Sequence, residues 1–209
     1  MLFYIIIVSV IMIIIFALLK FAKHIIGLSF LVSIYLFCQF SCASPNEKHV
    51  YIDPEISIKS RQEGTIENPY KNWDDVKLKS NTVYLLKRST EITLNSLLAV
   101  YNKSNVKITA YGEGKPPVVK ASSVLRPLDV YNSTNITVKN IKFTGNGNNN
   151  FLIRIRGGNE NITIDNVVFT NSVWGIRLIG YEQGNEPGKI QIKNCQISDI
   201  GDDGIFAQN

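Results

Sequence analysis

Three stretches of the chain repeat one pattern of apolar and polar residues. Residues 135–143 (NITVKNIKF), 161–169 (NITIDNVVF) and 189–197 (KIQIKNCQI) align without a gap, and a weaker copy begins at Asn105. The copies begin 30, 26 and 28 residues apart. In each copy β-branched residues alternate with polar ones, which is typical of strands, and a fixed period of this length indicates stacked units that bury their faces on one another. The pattern predicts an all-β solenoid.

Four apolar positions in each copy are predicted to face the core and to stack in columns. The columns are Ile136, Ile162 and Ile190; Val138, Ile164 and Ile192; Ile141, Val167 and Cys195; and Phe143, Phe169 and Ile197. Cys195 therefore reads as a small buried apolar residue. An asparagine lies at the bend of each copy, and because asparagine tolerates a left-handed backbone and its amide bonds to amides above and below, we predict a ladder. Its members are Asn140, Asn166 and Asn194.

A second strand is predicted after each turn, at residues 151–156, 174–179 and 204–208. If the central isoleucine of each strand (Ile153, Ile176, Ile205) faces inward, the next residue of each faces outward on one shared face. These outward residues are Arg154, Arg177 and Phe206.

The segment 44–80 precedes the coils, which are expected to occupy residues 81–209. Asn72 is a suitable N-cap with Asp74 and Asp75 in the first turn, so a short capping helix is predicted here to cover the open first coil. The first strand is expected at 81–87, with Val83 and Leu85 on one face.

Residues 1–43 form a hydrophobic signal or anchor region with apolar runs at 2–19 and 25–40. If both runs span a bilayer, the positive-inside rule keeps Lys20 and Lys23 in the cytoplasm; if translation begins at Met12, the two lysines become the basic part of an export signal. Both alternatives place the following domain outside the cytoplasm, as a secreted, periplasmic, cell-surface or membrane-anchored protein.

The end of the apolar region allows three outcomes. Ser41 and Ala43 have the spacing of a leader-peptidase site, Cys42 is a loose match to a lipoprotein acylation site, and the segment is otherwise retained as an anchor. With Cys42 in the leader, Cys195 is the one cysteine of the domain, so no intramolecular disulfide forms there.

The charge of the domain is mildly positive. All 17 acidic residues and 20 of the 22 basic ones lie beyond residue 43, which leaves a formal net charge of +3. No dense Lys/Arg cluster is present, so nucleic-acid binding is not expected. A diffuse positive charge suits an acidic polysaccharide.

The repeats, the asparagine column, the Gly-rich corners and the Gly201-Asp-Asp-Gly204-Ile strand start resemble the right-handed parallel β-helix of the pectate-lyase-like superfamily. The stretches at 51–54 (YIDP) and 64–73 (GTIENPYKNW) are similar to the start of many exported members. The resemblance covers about residues 50–209 and concerns the fold more than the reaction. It implies that one sheet forms the floor of a sugar-binding groove, namely the sheet with Arg154, Arg177 and Phe206.

Arg154 and Arg177 are candidate substrate-binding residues, because two stacked guanidinium groups repel unless an anion lies against them and arginine binds carboxylates bidentately. Arg177 is also a candidate catalytic residue, as the base or charge stabiliser of a lyase. Alternatively, the two arginines extend into solvent or pair with Glu160, Glu182 or Asp165.

Asp202 and Asp203 are the other candidates, either as calcium ligands or as an acid and base pair. The alternative is a solvated turn. The pair is similar to the paired aspartates of polygalacturonases, but those enzymes carry a further aspartate one coil earlier, where Trp174 stands in this chain. Inverting hydrolysis is therefore not favoured, and strand parity predicts Trp174 as a core residue.

β-Elimination at a uronic acid needs a group that neutralises the carboxylate and a base that removes the C5 proton. Asp202 and Asp203 with calcium, and Arg154 with Arg177, meet the first need, whereas the sequence identifies no base. The expected function is a polysaccharide lyase, with C5-epimerase or glycoside hydrolase activity as variants, acting on acidic polysaccharide. The competing hypothesis is a non-catalytic carbohydrate-binding or adhesin-type surface β-helix. Because the last strand lacks a cap, we also expect further coils beyond Asn209.

Overall fold

Strands account for nearly all regular structure in the computed structural model, which describes residues 47–57, 62–121, 126–148, 151–180 and 188–208. In chain order the strands are β1 Lys48–Ile52, β2 Thr82–Lys87, β3 Glu91–Leu94, β4 Leu98–Tyr101, β5 Ser104–Tyr111, β6 Val118–Ala121, β7 Leu128–Tyr131, β8 Thr134–Lys139, β9 Lys142–Thr144, β10 Phe151–Arg156, β11 Glu160–Asp165, β12 Val168–Ser172, β13 Trp174–Ile179, β14 Ile190–Lys193, β15 Gln196–Ile200 and β16 Ile205–Gln208.

The strands form three parallel sheets. Each full coil contributes one strand to each sheet. The first sheet has the order β1-β2-β5-β8-β11-β14, the second β3-β6-β9-β12-β15 and the third β4-β7-β10-β13-β16. Neighbours within a sheet are therefore one coil apart in sequence, and the chain is a parallel β-solenoid. The predicted fold is confirmed.

The predicted columns are also confirmed by the strand register. Ile136, Ile162 and Ile190 pair in sequence in the first sheet. In the second sheet Phe169 pairs with Phe143 on one side and with Ile197 on the other. Strands in such a sheet lie about 4.8 Å apart, so like side chains pack on one another. Members of the columns in β14 and β15 are only partly buried, as is Cys195, whose burial raises the pKa of its thiol.

The predicted asparagine ladder runs along the corner between the first and second sheets. Asn140, Asn166 and Asn194 have φ values of 60°, 52° and 55°, the left-handed region that asparagine tolerates. Asn166 Nδ2 donates to Asn140 Oδ1 at 2.9 Å. One step further, Asn194 Nδ2 donates to Asp165 Oδ1 at 2.9 Å, so a carboxylate replaces the amide acceptor that the sequence predicted.

A second asparagine ladder lies where the chain enters the first sheet. Its members are Asn81, Asn105, Asn135 and Asn161, with φ values of 55° to 56°. Each side-chain amide donates to the one on the preceding coil, over distances of 2.8, 2.9 and 3.1 Å. The two ladders hold both ends of the first-sheet strands in register.

Replacing Asn166 with alanine is expected to lower the free energy of unfolding by about 2 kcal/mol, from a left-handed backbone that costs alanine about 1 kcal/mol and a lost hydrogen bond worth about 1 kcal/mol. Asn166→Gly keeps the backbone conformation without strain, and we expect it to lose about half as much. Urea denaturation of the full chain measures both values. Equal losses in the two variants would show that backbone conformation contributes nothing.

The predicted capping helix is a single 3-10 turn, Trp73–Asp75, and not an α-helix. Asn72 makes no side-chain cap hydrogen bond. Three residues are too few for an α-helical hydrogen bond, and the turn is held instead by Asp74, whose carboxylate accepts backbone N–H groups of Asn95 at 3.4 Å and Ser96 at 3.1 Å. Trp73 is buried, with its ring 5.8 Å from that of Tyr84.

In β2 the side chains of Val83 and Leu85 point away from the core. These two residues share a face, as predicted, but Tyr84 and Leu86 pack into the core cluster and pair with the Ile108 and Ala110 positions of β5. Val83 and Leu85 therefore lie on the outer face of the first sheet.

The predictions for residues 1–43 lie outside the described residues. Glu47–Asn209 belong to one compact unit, which contains the segment predicted as a cap and the coils. Within the described ranges no helix is long and apolar enough to cross a bilayer.

Candidate functional site

Arg154, Arg177 and Phe206 lie side by side on the outer face of the third sheet, as predicted. Arg154 in β10 pairs in register with Arg177 in β13, which pairs with Phe206 in β16. On its other side Arg154 pairs with Asp129 of β7, a residue that the sequence did not single out.

Asp129 has a completely buried side chain, with 0% of it exposed; it accepts hydrogen bonds from three side chains and forms an ion pair with a fourth. Arg154 donates to it through Nε at 3.1 Å and through Nη2. Tyr101 donates its hydroxyl at 2.8 Å, Arg126 donates Nε at 3.2 Å, and Arg156 places Nε 3.5 Å away. Three guanidinium groups therefore share one carboxylate.

These contacts determine the ionisation of the pair. Burial by itself raises the pKa of Asp129, but the hydrogen bonds from Arg154 and Tyr101 outweigh it and hold that pKa below its ordinary value of 3.8. Burial likewise disfavours the charged form of Arg154, and the hydrogen bond to Asp129 raises its pKa above the ordinary value. Both groups are charged at neutral pH.

The expected partners of the arginines need correction. Arg154 pairs with Asp129 and not with Glu160 or Asp165. Asp165 Oδ2 lies 3.8 Å from Lys193 Nζ instead. Glu182 is outside the described residues. The correct partner is the carboxylate one coil earlier in the same sheet, because residues in register on adjacent strands are the nearest outward neighbours.

Arg177 has no carboxylate within ion-pair distance in the part of the chain that the structure describes. Its Nη2 donates to Gln208 Oε1 at 3.1 Å. The guanidinium carbon lies 5.6 Å from the ring centres of Phe151 and Phe206 and 5.9 Å from that of Trp174, distances at which a cation is attracted to an aromatic face. Aromatic rings thus hold this cation in place of an acid.

The other arginines contact aromatic rings as well. Arg126 and Arg154 lie 5.8 and 5.7 Å from the centre of Phe151, and Arg156 lies 4.3 Å from Tyr131 and 5.5 Å from Tyr101. We call this surface the Arg–aromatic wall. It consists of Tyr101, Arg126, Asp129, Tyr131, Phe151, Arg154, Arg156, Trp174, Arg177 and Phe206.

Trp174 belongs to this wall and not to the core, contrary to the prediction from strand parity. Its ring is half-buried and lies 6.1 Å from that of Phe206. The following residue, Gly175, faces inward, since a Cβ added there would lie 3.5 Å from the Ile197 side chain. Strict alternation fails at the start of these strands: Leu152 and Ile153, which are consecutive, are both fully buried.

Asp202 and Asp203 occupy the turn between β15 and β16, and both are exposed. The backbone N–H of Asp202 donates to the carbonyl of Val173 at 2.9 Å, and the carbonyl of Asp203 accepts from Gly175 at 3.2 Å. The turn therefore lies beside Trp174, at the edge of the wall.

The fit of calcium to these aspartates is limited. Calcium takes about six to eight oxygen ligands. Within the described ranges no group of three or more His, Cys, Asp or Glu side chains converges, so Asp202 and Asp203 supply two carboxylates without a third. Calcium binding stays a prediction.

Comparisons with known proteins support the fold. No family model and no curated protein matches the chain. Among solved structures, the chain is similar to the GH136 lacto-N-biosidase from Eubacterium ramulus. The selenomethionine derivative gives a TM-score of 0.52 at 14% identity over 80% of this chain and 37% of that enzyme. The native enzyme gives 0.47 at 13% identity over 77% and 36%. The chain thus spans less than two-fifths of that enzyme's length, and at this identity the likeness shows a shared fold.

Proposed function

We propose that the chain binds an acidic carbohydrate along the Arg–aromatic wall. Arg177 carries this proposal: it is a cation without an acidic partner among the described residues, and it lies beside the rings of Trp174 and Phe206. Guanidinium groups bind carboxylates through paired hydrogen bonds, and aromatic side chains combine apolar contact area with rigid geometry. A sugar with a carboxylate or sulfate matches both features.

The charge and shape of the wall support a polymeric ligand. The wall carries four guanidinium groups and one carboxylate, that of Asp129, which pairs with three of them, so the surface stays positive and attracts a polyanion. Five strands of the third sheet, each about 4.8 Å from the next, make an elongated surface. The solved structure with the same fold is named as a lacto-N-biosidase, which also acts on a carbohydrate.

In this proposal the bound polymer is cleaved by β-elimination, the chemistry of the lyases that the sequence resembles. A base removes the C5 proton of a uronic acid, the electrons form a C4–C5 double bond, and the C4–O bond breaks as the leaving oxygen takes up a proton. Arg177 would neutralise the uronate carboxylate and so acidify the C5 proton. Asp202 and Asp203, at the edge of the wall, are the candidates for proton transfer. Residues 1–43 would place the domain outside the cytoplasm, where such polymers occur, and associate it with the membrane if they are retained.

Binding is tested with the full chain and oligosaccharides of galacturonate, alginate and heparin, with the methyl-esterified galacturonate as the uncharged comparison. Calorimetry is expected to show that Arg177→Ala weakens binding to the best acidic ligand about tenfold or more, the loss typical of a charge-assisted contact. Lys107→Ala, which removes a cation from the first sheet, is the matched control and should bind as the unmodified chain. Absence of binding to every acidic oligosaccharide, or unchanged binding by Arg177→Ala, would contradict the proposal.

Cleavage is tested separately, through the ultraviolet absorbance of the unsaturated uronic acid product, with calcium and with a chelator. A lyase gives this absorbance, and Asp202→Asn or Asp203→Asn should abolish it. The alternative is a non-catalytic carbohydrate-binding or adhesin-type protein, which is favoured by the exposure of both aspartates and by the full engagement of Asp129. Binding that persists in both variants, without turnover in the unmodified chain, would establish that alternative.

A further inference from the structure

Asp129 lies at the centre of the Arg–aromatic wall and joins parts of the chain that are far apart in sequence. Tyr101 reaches it from β4, Arg126 from the segment before β7, and Arg154 and Arg156 from β10. The guanidinium groups would repel one another if nothing neutralised them. The buried carboxylate therefore brings together cations that would otherwise separate.

Each arginine side chain that contacts Asp129 remains partly exposed. The side chains of Arg154, Arg126 and Arg156 are 16%, 28% and 30% exposed, although all three contact Asp129. A guanidinium group has a rigid set of N–H donors, so fixing one edge against a carboxylate also fixes where the remaining donors point. Arg156 is further restrained by the face of Tyr131.

We infer that Asp129 is a positioning residue that makes the wall recognise anionic groups by their spacing and not by net charge. This inference rests on the proposed function, because it concerns how the same wall selects its ligand. The two modes of recognition predict opposite effects when the carboxylate is neutralised. If net charge governs binding, the removal of a negative charge tightens binding of an anion. If the fixed array governs binding, the removal weakens it.

The test compares Asp129→Asn with the unmodified chain by calorimetry at physiological ionic strength, using the acidic oligosaccharide that binds best and the methyl-esterified galacturonate. We expect affinity for the acidic ligand to fall about tenfold, a loss of the size that misplacing a paired charge contact produces. Affinity for the uncharged ligand should change less than about twofold, since it uses the rings. Tighter or unchanged binding of the acidic ligand would overturn the inference, and so would an equal loss for both ligands.

Arg154→Lys provides a second test that leaves the net charge unchanged and does not depend on the folding of Asp129→Asn. A lysine is a point charge without the rigid fork, so we expect affinity for the acidic ligand to fall about fivefold or more. Unchanged affinity in Arg154→Lys would overturn the inference even if Asp129→Asn binds weakly. Failure of the proposed function is a separate outcome, in which the unmodified chain binds no acidic oligosaccharide.

Discussion

Replacing Phe169 with alanine is expected to lower the free energy of unfolding by about 3–5 kcal/mol, the range for deleting a buried phenylalanine. The ring is fully buried and stacks on that of Phe143 with a centre-to-centre distance of 6.0 Å and an angle of 9° between planes. Its other neighbour in the column is Ile197. The variant leaves a cavity in the middle of the stack, where neighbouring coils cannot collapse without losing register. Urea denaturation of the full chain gives the value.

The matched control is Phe206→Ala, which deletes the same atoms from the half-buried outer wall. We expect this change to cost about 1 kcal/mol or less, because the ring is partly in water before the substitution. Equal losses for Phe169→Ala and Phe206→Ala would mean that the column is not the main source of stability.

The second large effect is expected for Asp129→Asn, which should lower the free energy of unfolding at neutral pH by about 2–3 kcal/mol, the upper range for hydrogen bonds to a charged group. The effect depends on pH. The pKa of Asp129 is lower in the folded state than its ordinary value of 3.8, so the unfolded chain binds the proton more readily. The stabilisation is therefore complete above about pH 5, declines below about pH 4, and is lost once the pH falls below the folded-state pKa.

Denaturation curves at a series of pH values test this prediction. The difference between the unmodified chain and Asp129→Asn should be constant near neutrality and should shrink toward acid pH. Asp202→Asn is the control, because that carboxylate is exposed and no hydrogen bond of its side chain is formed with the described residues. A difference that grows as the pH falls would show that the sign of the pKa shift is wrong.

The fold could be predicted from the sequence because the same pattern of apolar and polar residues is repeated in successive coils. Ile136, Ile162 and Ile190 each look ordinary alone, but three aligned copies define both the strand and its partner. The same repetition predicted the ladder through Asn140 and Asn166. The ladder through Asn81 and its successors was missed, because those positions begin strands and carry no change in polarity that marks a bend.

The centre of the candidate site was not predictable in the same way. β7 has four residues, of which two face inward, so its pattern is too short to align with the other copies, and Asp129 was not singled out. The feature of the sequence that could have identified Asp129 is an acidic residue between Leu128 and Val130, one coil before Arg154. The prediction for Trp174 was wrong because strict alternation fails at the start of the third-sheet strands, as it does in β10, where Leu152 and Ile153 are both buried. Such local changes of backbone direction depend on packing and are not encoded by the polarity of single residues.

The two asparagine ladders also determine where this chain tolerates changes of length. Asn135 and Asn140 are five positions apart, and so are Asn161 and Asn166. An inserted residue between them would break amide contacts on both sides of a first-sheet strand at once.

Length varies instead at the corners that border the third sheet. Ile153 and Ile162 are nine positions apart, whereas their counterparts one coil later, Ile176 and Ile190, are 14 apart. Ile153 still pairs with Ile176, and Ile162 with Ile190. Insertions and deletions accumulated during evolution would therefore fall beside the Arg–aromatic wall while the stack stays intact. Ligand preference can diversify among descendants of this chain without loss of the solenoid.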